Sequence, residues 1–136
     1  MPIRLNHVAV ATTDFDAALR FWRDVIGLSM IETEINMEEA VQVGFLDTGN
    51  SLIEILAPTN EESGVAKFLE SRGAGLHHLC LEVDDLDATL EHLAAHQVEL
   101  INESPRTRYD GVRYAFAHPK STGGVLIEFY ELPEDK

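Results

Sequence analysis

The chain has 136 residues, 45% of them hydrophobic, and a formal net charge of −14 from ten Lys and Arg against 24 Asp and Glu. That length suits one compact domain or two small fused ones, and the apolar content is too high for a disordered chain. The acidic balance argues against a nucleic-acid partner, whose phosphates demand cationic neutralisation, and no apolar run approaches the ~20 residues that span a bilayer.

The chain opens directly into a strand pattern, about Arg4 to Ala11, with no secretory or transit segment before it. A lone cysteine, Cys80, rules out an internal disulfide framework. Both features predict a soluble protein of a reducing compartment, most simply the cytoplasm. A helix follows from an Asp cap, with Phe15, Leu19, Trp22 and Ile26 as its apolar stripe and Gly27 as its stop. Three strand-like runs come next, near Ser29–Glu34, Val41–Asp47 and Ser51–Leu56, with Thr48-Gly49-Asn50 as a turn and Pro58 beyond the last strand. The stretch EESGVAKFLESRGAG reads as a linking helix over about 63–73, capped by Ser63 and stopped by Gly73. Then the order recurs. A strand runs from Leu76 to Val83, and a helix carries Leu86, Leu90, Leu93 and Ala94. Three strands follow near Glu99–Asn102, Arg113–Ala117 and Val125–Glu131, with Pro119 outside them.

The recurrence is an internal repeat. NHVAVATTDFDAAL (Asn6 to Leu19) aligns with HHLCLEVDDLDATL (His77 to Leu90), with identities at His7/His78, Asp14/Asp85, Asp16/Asp87, Ala17/Ala88 and Leu19/Leu90. Further on, Leu52-Ile53-Glu54 repeats as Leu126-Ile127-Glu128. The fold class is therefore α+β. A single 1–136 domain is built from two paired βαβββ modules, about 1–62 and 75–136.

Within that repeat, His7 and His78 stand on the first strand of each module, and Glu54 and Glu128 on the last. A lone histidine on an apolar strand is ordinarily a hydrogen-bonded structural residue, and a lone strand glutamate ordinarily faces water. The recurrence of both types at equivalent places weakens those readings. A carboxylate inside so apolar a strand requires a partner, and a cation is one. Two imidazoles and two carboxylates suit a divalent ion of intermediate hardness, such as Co, Mn, Ni, Fe or Zn. In the pair His77-His78, the repeat aligns His78 with His7 and His77 with Asn6, so His78 is the expected ligand and His77 is expected to be structural. His92 and His96, one helical turn apart, lie off the apolar stripe and read as solvated. Cys80 reads as a small apolar filler.

LNHVAV, GVAKFLESRGAGLHHLCLEVDDLDATL and HPKSTGGVLIEF closely resemble the methylmalonyl-CoA epimerase branch of the vicinal oxygen chelate superfamily, over nearly the whole chain. The resemblance implies a metal-binding cleft formed by the two modules. It implies that His7, Glu54, His78 and Glu128 hold a divalent metal, cobalt being usual for the family. It also implies a homodimer and interconversion of (R)- and (S)-methylmalonyl-CoA in propionyl-CoA metabolism. Some members carry a glutamate in the middle strand as an acid/base residue. Val43 holds that position here, which leaves Glu128 as the expected base and Glu54 as its counterpart. For the phosphates of CoA the candidates are Lys120, Ser121, Thr122 and Gly123. With them goes the local excess of Arg106, Arg108, Arg113 and Lys120 over Asp110. A glyoxalase I-like lactoylglutathione lyase shares the four ligands, and a non-enzymatic small-molecule-binding module shares the fold without needing them. An extradiol-type dioxygenase normally uses two His and one carboxylate, so the additional ligand at Glu54 argues against it.

Overall fold

A computed structural model describes residues 3–134. The chain divides into two compact units. One is His7–His77; the other joins the N-terminal residues through Asn6 to the chain from His78 onward.

The first unit contains most of β1 (Ile3–Ala11), α1 (Phe15–Leu19), β2 (Ser29–Asn36), β3 (Val41–Asp47), β4 (Leu52–Pro58) and α2 (Gly64–Arg72). Its strands lie in the order β2-β3-β4-β1, with β1 parallel to β4 and the other neighbours antiparallel. Alternation along the strands gives this sheet two apolar faces. On one, Phe15 and Leu19 of α1 pack with Leu46, Ile55 and Ala57. On the other, Val65, Phe68 and Leu69 of α2 pack with Ala11, Val41, Val43 and Leu56. Gly44 lies under α1, where an added methyl would stand 3.0 Å from the Phe15 ring.

Two expectations about this unit need correction. The first helix is α-helical only to Leu19 and continues as a π-helix over Arg20–Val25, the Ile26 N–H bonding to the Phe21 carbonyl at 2.9 Å. The wider turn carries Ile26 off the Phe15–Leu19–Trp22 stripe, and it is half exposed. Pro58, expected beyond the last strand, is the final residue of β4, opposite Val41. A strand end is a position where a missing N–H is tolerated.

The second unit contains most of β5 (Gly75–Val83), α3 (Leu86–Ala95), β6 (Arg106–Thr107), β7 (Arg113–Ala117) and β8 (Ile127–Glu131), its strands ordered β5-β8-β7-β6. Strand β5 runs parallel to β8, and the other pairs are antiparallel. Leu86 and Leu90 of α3 pack on Val83, Ala115, Ala117 and Phe129. The buried stripe of α3 runs through Leu86, Thr89, Leu90 and Leu93, which leaves Ala94, expected on it, exposed. The expected strand Glu99–Asn102 is reduced to a single bridge between Leu100 and Ala117, and the short ladder with β7 comes from β6. Backbone bonds from the Ile101 N–H to the Phe116 carbonyl and from the His118 N–H to the Glu99 carbonyl, both at 2.8 Å, are joined there by side-chain ones. Asn102 accepts from the Phe116 N–H at 2.9 Å, and Ser121 Oγ accepts from the Glu99 N–H at 2.9 Å.

Each unit thus repeats β, α and three β strands, and each helix opens on the same cap. Asp14 accepts from the Ala17 N–H and Asp85 from the Ala88 N–H, both at 3.0 Å.

Candidate metal centre

In the first unit, strand alternation turns His7 to the face away from α1, together with Ala9 and Ala11. The register sets Glu54 beside Ala9, one step diagonally from His7. His7 Nε2 lies 3.7 Å from Glu54 Oε2. Phe45, opposite Glu54 on β3, meets the His7 ring edge-on, with centroids 5.9 Å apart at 78°. In the second unit, Glu128 stands beside Cys80, diagonal to His78. His78 Nε2 lies 3.1 Å from Glu128 Oε1. Phe116, opposite Glu128 on β7, meets the His78 ring at 5.7 Å and 85°.

The same three-residue arrangement is thus built twice. Phe45 and Phe116 are separated by the same offset as His7 and His78. The sequence reading missed them because it followed the repeat only through the first strand, the helix and the last strand. The aromatic edge fixes each imidazole and keeps water from one side of it.

Burial singles out the same residues. Among the described residues the buried polar side chains are His7, Glu54, Ser63, His78, Thr89 and Glu128. Ser63 caps α2 through the Val65 N–H, and Thr89 donates to the Asp85 carbonyl one turn back. The other four are the two His–Glu pairs, His7 being 0% and Glu128 7% exposed. A buried carboxylate is stable when paired with or ligated to positive charge. Neighbouring donors on a divalent ion with bonds of ~2.1 Å lie about 3 Å apart, close to the 3.1 Å of the second pair and shorter than the 3.7 Å of the first. Mixed imidazole and carboxylate donors suit a divalent ion. Each pair therefore fits the group in donor chemistry.

The remaining candidates fall elsewhere. His77 turns away from His78 and packs its ring on Phe68 at 4.7 Å. His92 is exposed on α3 and His96 is exposed at its C-cap, and Cys80 is fully buried in a cluster with Val112 and Tyr130. Val43 is buried in the apolar cluster beneath α2, so no acid or base stands at that position. The basic segment is dispersed. Lys120 Nζ pairs with Glu99 at 3.2 Å, and Arg113 binds both Glu131 and Asp87 at 3.0 Å. Glu131 first, and then Asp87, push the Arg113 guanidinium above its ordinary range. Ser121 Oγ accepts from the Glu99 N–H, Thr122 donates to the Pro119 carbonyl within its own loop, and Gly123 lies at positive φ. Arg106 is exposed on β6, while Arg108, 18% exposed, donates to the Tyr130 hydroxyl at 2.9 Å.

Comparison with known proteins agrees with this arrangement. Residues 4–129 match the profile of the Glyoxalase/Bleomycin resistance protein/Dioxygenase superfamily. The chain is 37% identical to the mitochondrial methylmalonyl-CoA epimerase of Mus musculus, over 92% of this chain and 71% of that one. It is 34% identical to the ethylmalonyl-CoA/methylmalonyl-CoA epimerase of Cereibacter sphaeroides, over 95% and 98%. The crystal structure of methylmalonyl-CoA epimerase from Mycobacterium tuberculosis superposes with a TM-score of 0.87 at 36% identity, covering 96% of this chain and 88% of that one. A methylmalonyl-CoA epimerase in complex with methylmalonyl-CoA and NH4+ superposes equally well, with a TM-score of 0.87 at 34% identity over 96% and 95%. With its two βαβββ units and its repeated His–Glu pair, the chain belongs to the glyoxalase superfamily and, within it, to the methylmalonyl-CoA epimerases, a family of isomerases.

Proposed function

We propose that the chain interconverts (R)- and (S)-methylmalonyl-CoA by removing and returning the α-proton, and that the two His–Glu pairs together hold one divalent cation. The observation that carries the reading is the buried His–Glu pair built at equivalent places in both units, in a chain of this family. Cobalt is the proposed metal, with Mn, Ni, Fe or Zn as substitutes. A homodimer in the cytoplasm serving propionyl-CoA metabolism completes the proposal. Among the described residues no helix is long and apolar enough to cross a membrane.

The α-carbon of the substrate lies between a thioester and a carboxylate, and its proton is only weakly acidic. When bound, the cation supplies Lewis-acid stabilisation of the charge that develops on the thioester oxygen, a contribution of several kcal/mol. The protein has to place a base within ~3 Å of the proton. Glu128 is that base. Its carboxylate is buried, and His78 lies 3.1 Å away. Inversion requires a proton from the opposite side of the α-carbon, and Glu54 is the proposed donor, a role that requires its carboxyl to be protonated and released from the cation for that step. Both groups are shielded from bulk water, so the proton returns from a side chain. The loop Lys120–Gly123 is the proposed contact for CoA phosphate, through its backbone N–H groups and Lys120.

Proton NMR of (S)-methylmalonyl-CoA in D2O, with the protein and cobalt, tests this. The α-proton signal is expected to disappear. A persistent signal, with turnover of the glutathione–methylglyoxal hemithioacetal, would transfer the chain to the lactoylglutathione lyase reading. No turnover and no metal bound would leave a binding module.

A further inference from the structure

The helix α3 ends on two histidines that the proposed reaction does not use. His92 and His96 stand four residues apart, a spacing that sets both side chains on one face, and both are exposed. Their ring centroids are 4.4 Å apart, with the planes inclined at 48°. Two imidazoles bound side by side to one ion through bonds of ~2.1 Å have centroids about 4.5 Å apart. His96 Nδ1 lies 2.9 Å from the His92 carbonyl oxygen. A carbonyl only accepts, so in the neutral ring Nδ1 carries the proton and Nε2 keeps its lone pair. An imidazole held in this way on a backbone carbonyl is oriented as metal-ligating histidines are.

Among the described residues no carboxylate pairs with either ring. Protonated together, the two imidazoles would repel at this spacing, whereas one shared cation turns the same spacing into a crosslink. The C-terminal end of a helix also favours positive charge. At the offset relating the two units, Phe21 and Val25 hold the corresponding positions, so the pair belongs to the second unit alone. The turn that follows stands to gain from a crosslink. The N–H groups of His96, Gln97 and Val98 close the helix on the Leu93 and Ala94 carbonyls, each at 3.0 Å. Gln97 lies at φ 60°, where glycine is usual and a side chain unfavourable.

We propose that His92 and His96 chelate a late divalent transition ion, copper, nickel or zinc, and that the ion staples the last turn of α3. Imidazole suits these ions, and water fills their remaining positions. With two neutral donors in water, this site holds metal less tightly than a buried one with carboxylates. It stands apart from the His–Glu pairs and does not depend on the epimerase reading.

Copper(II), the tightest of the series, is the probe. Cobalt-loaded wild-type protein, His92→Ala and His96→Ala are dialysed to equilibrium against Cu2+, with bound cobalt followed in the same samples. The wild type is expected to take up one Cu2+ per chain and keep its cobalt. Either substitution is expected to weaken that uptake by at least about 10-fold, because the second imidazole binds intramolecularly. Copper is expected to slow hydrogen exchange at the amides of residues 96–98 in the wild type and in neither variant. Alanine is the best helix former, so both variants are expected to fold and to keep wild-type α-proton exchange. Copper uptake that matches cobalt lost, that ignores both substitutions, or that depends on one histidine alone would overturn the chelate. Uptake without slower exchange at 96–98 would overturn the staple. A protein that holds no cobalt would count against the buried centre alone, since the difference between wild type and variants still reads the surface pair.

Discussion

Glu128 and Glu54 share a residue type, a strand position and an aromatic neighbour, yet they do not hold their histidines equally. The second pair stands at 3.1 Å and the first at 3.7 Å. Replacing Glu128 with Gln keeps a ligating oxygen and removes the base, so α-proton exchange is expected to fall by at least about 100-fold while one cobalt per chain remains. Full exchange with metal retained would acquit Glu128. The two buried His–Glu pairs were legible in the sequence because a repeat compares like with like: each residue served as the control for its partner. Phe45 and Phe116 were equally legible in principle, at the same offset, but lie in a strand whose apolar alternation draws no notice. Arg108 was read only as one of a basic segment, not as a largely buried side chain bonded to Tyr130. Its burial depends on a loop conformation between β6 and β7, and loops carry no period.

The helix α3 is held at its N-terminus from two directions. Asp85 caps it locally, while Glu131 reaches from the end of β8 to accept from the Leu86 N–H at 2.7 Å and binds Arg113 with its other oxygen. Glu131→Ala removes a helix-end acceptor and an ion pair together, and is expected to lower stability by about 1–2 kcal/mol. Asp87→Ala breaks only an exposed pair and is expected to lower it by at most about 1 kcal/mol. Urea melts of the two variants check the order; a larger effect from Asp87 would show that the cap contributes little. The strands β3 and β7 were predicted residue for residue because turn residues bound each run, Thr48-Gly49-Asn50 after β3 and Pro119 after β7. The first helix was not, since an i→i−5 hydrogen bond leaves the same amino acids in the same order and changes only which of them face inward. The strand at Glu99–Asn102 shrank to one bridge with its two flanking backbone bonds, because Asn102 and Ser121 offer side-chain oxygens to the next backbone N–H groups.

At the scale of the molecule, a cation shared between the two pairs has a thermodynamic signature. Stripping it with a chelator is expected to lower Tm by about 10 °C, since a ligand at a hundred times its Kd contributes about 2.7 kcal/mol. Restoring cobalt should restore Tm at one ion per chain. His7→Ala and His78→Ala should each abolish that uptake completely. Uptake halved by each substitution would mean two separate sites instead of one.

The unit boundaries carry a further consequence. Asn6 belongs with the residues from His78 onward and bonds to Glu82, whereas His7, its immediate neighbour, belongs with the first unit. During synthesis Asn6 leaves the ribosome more than seventy residues ahead of its partner Glu82. The first unit can begin to consolidate while β1 is still half unclaimed, and the strand is completed only when β5 arrives. Such a long-range closure slows folding. It also means that β1, which precedes the other described strands in the chain, is finished after strands that follow it.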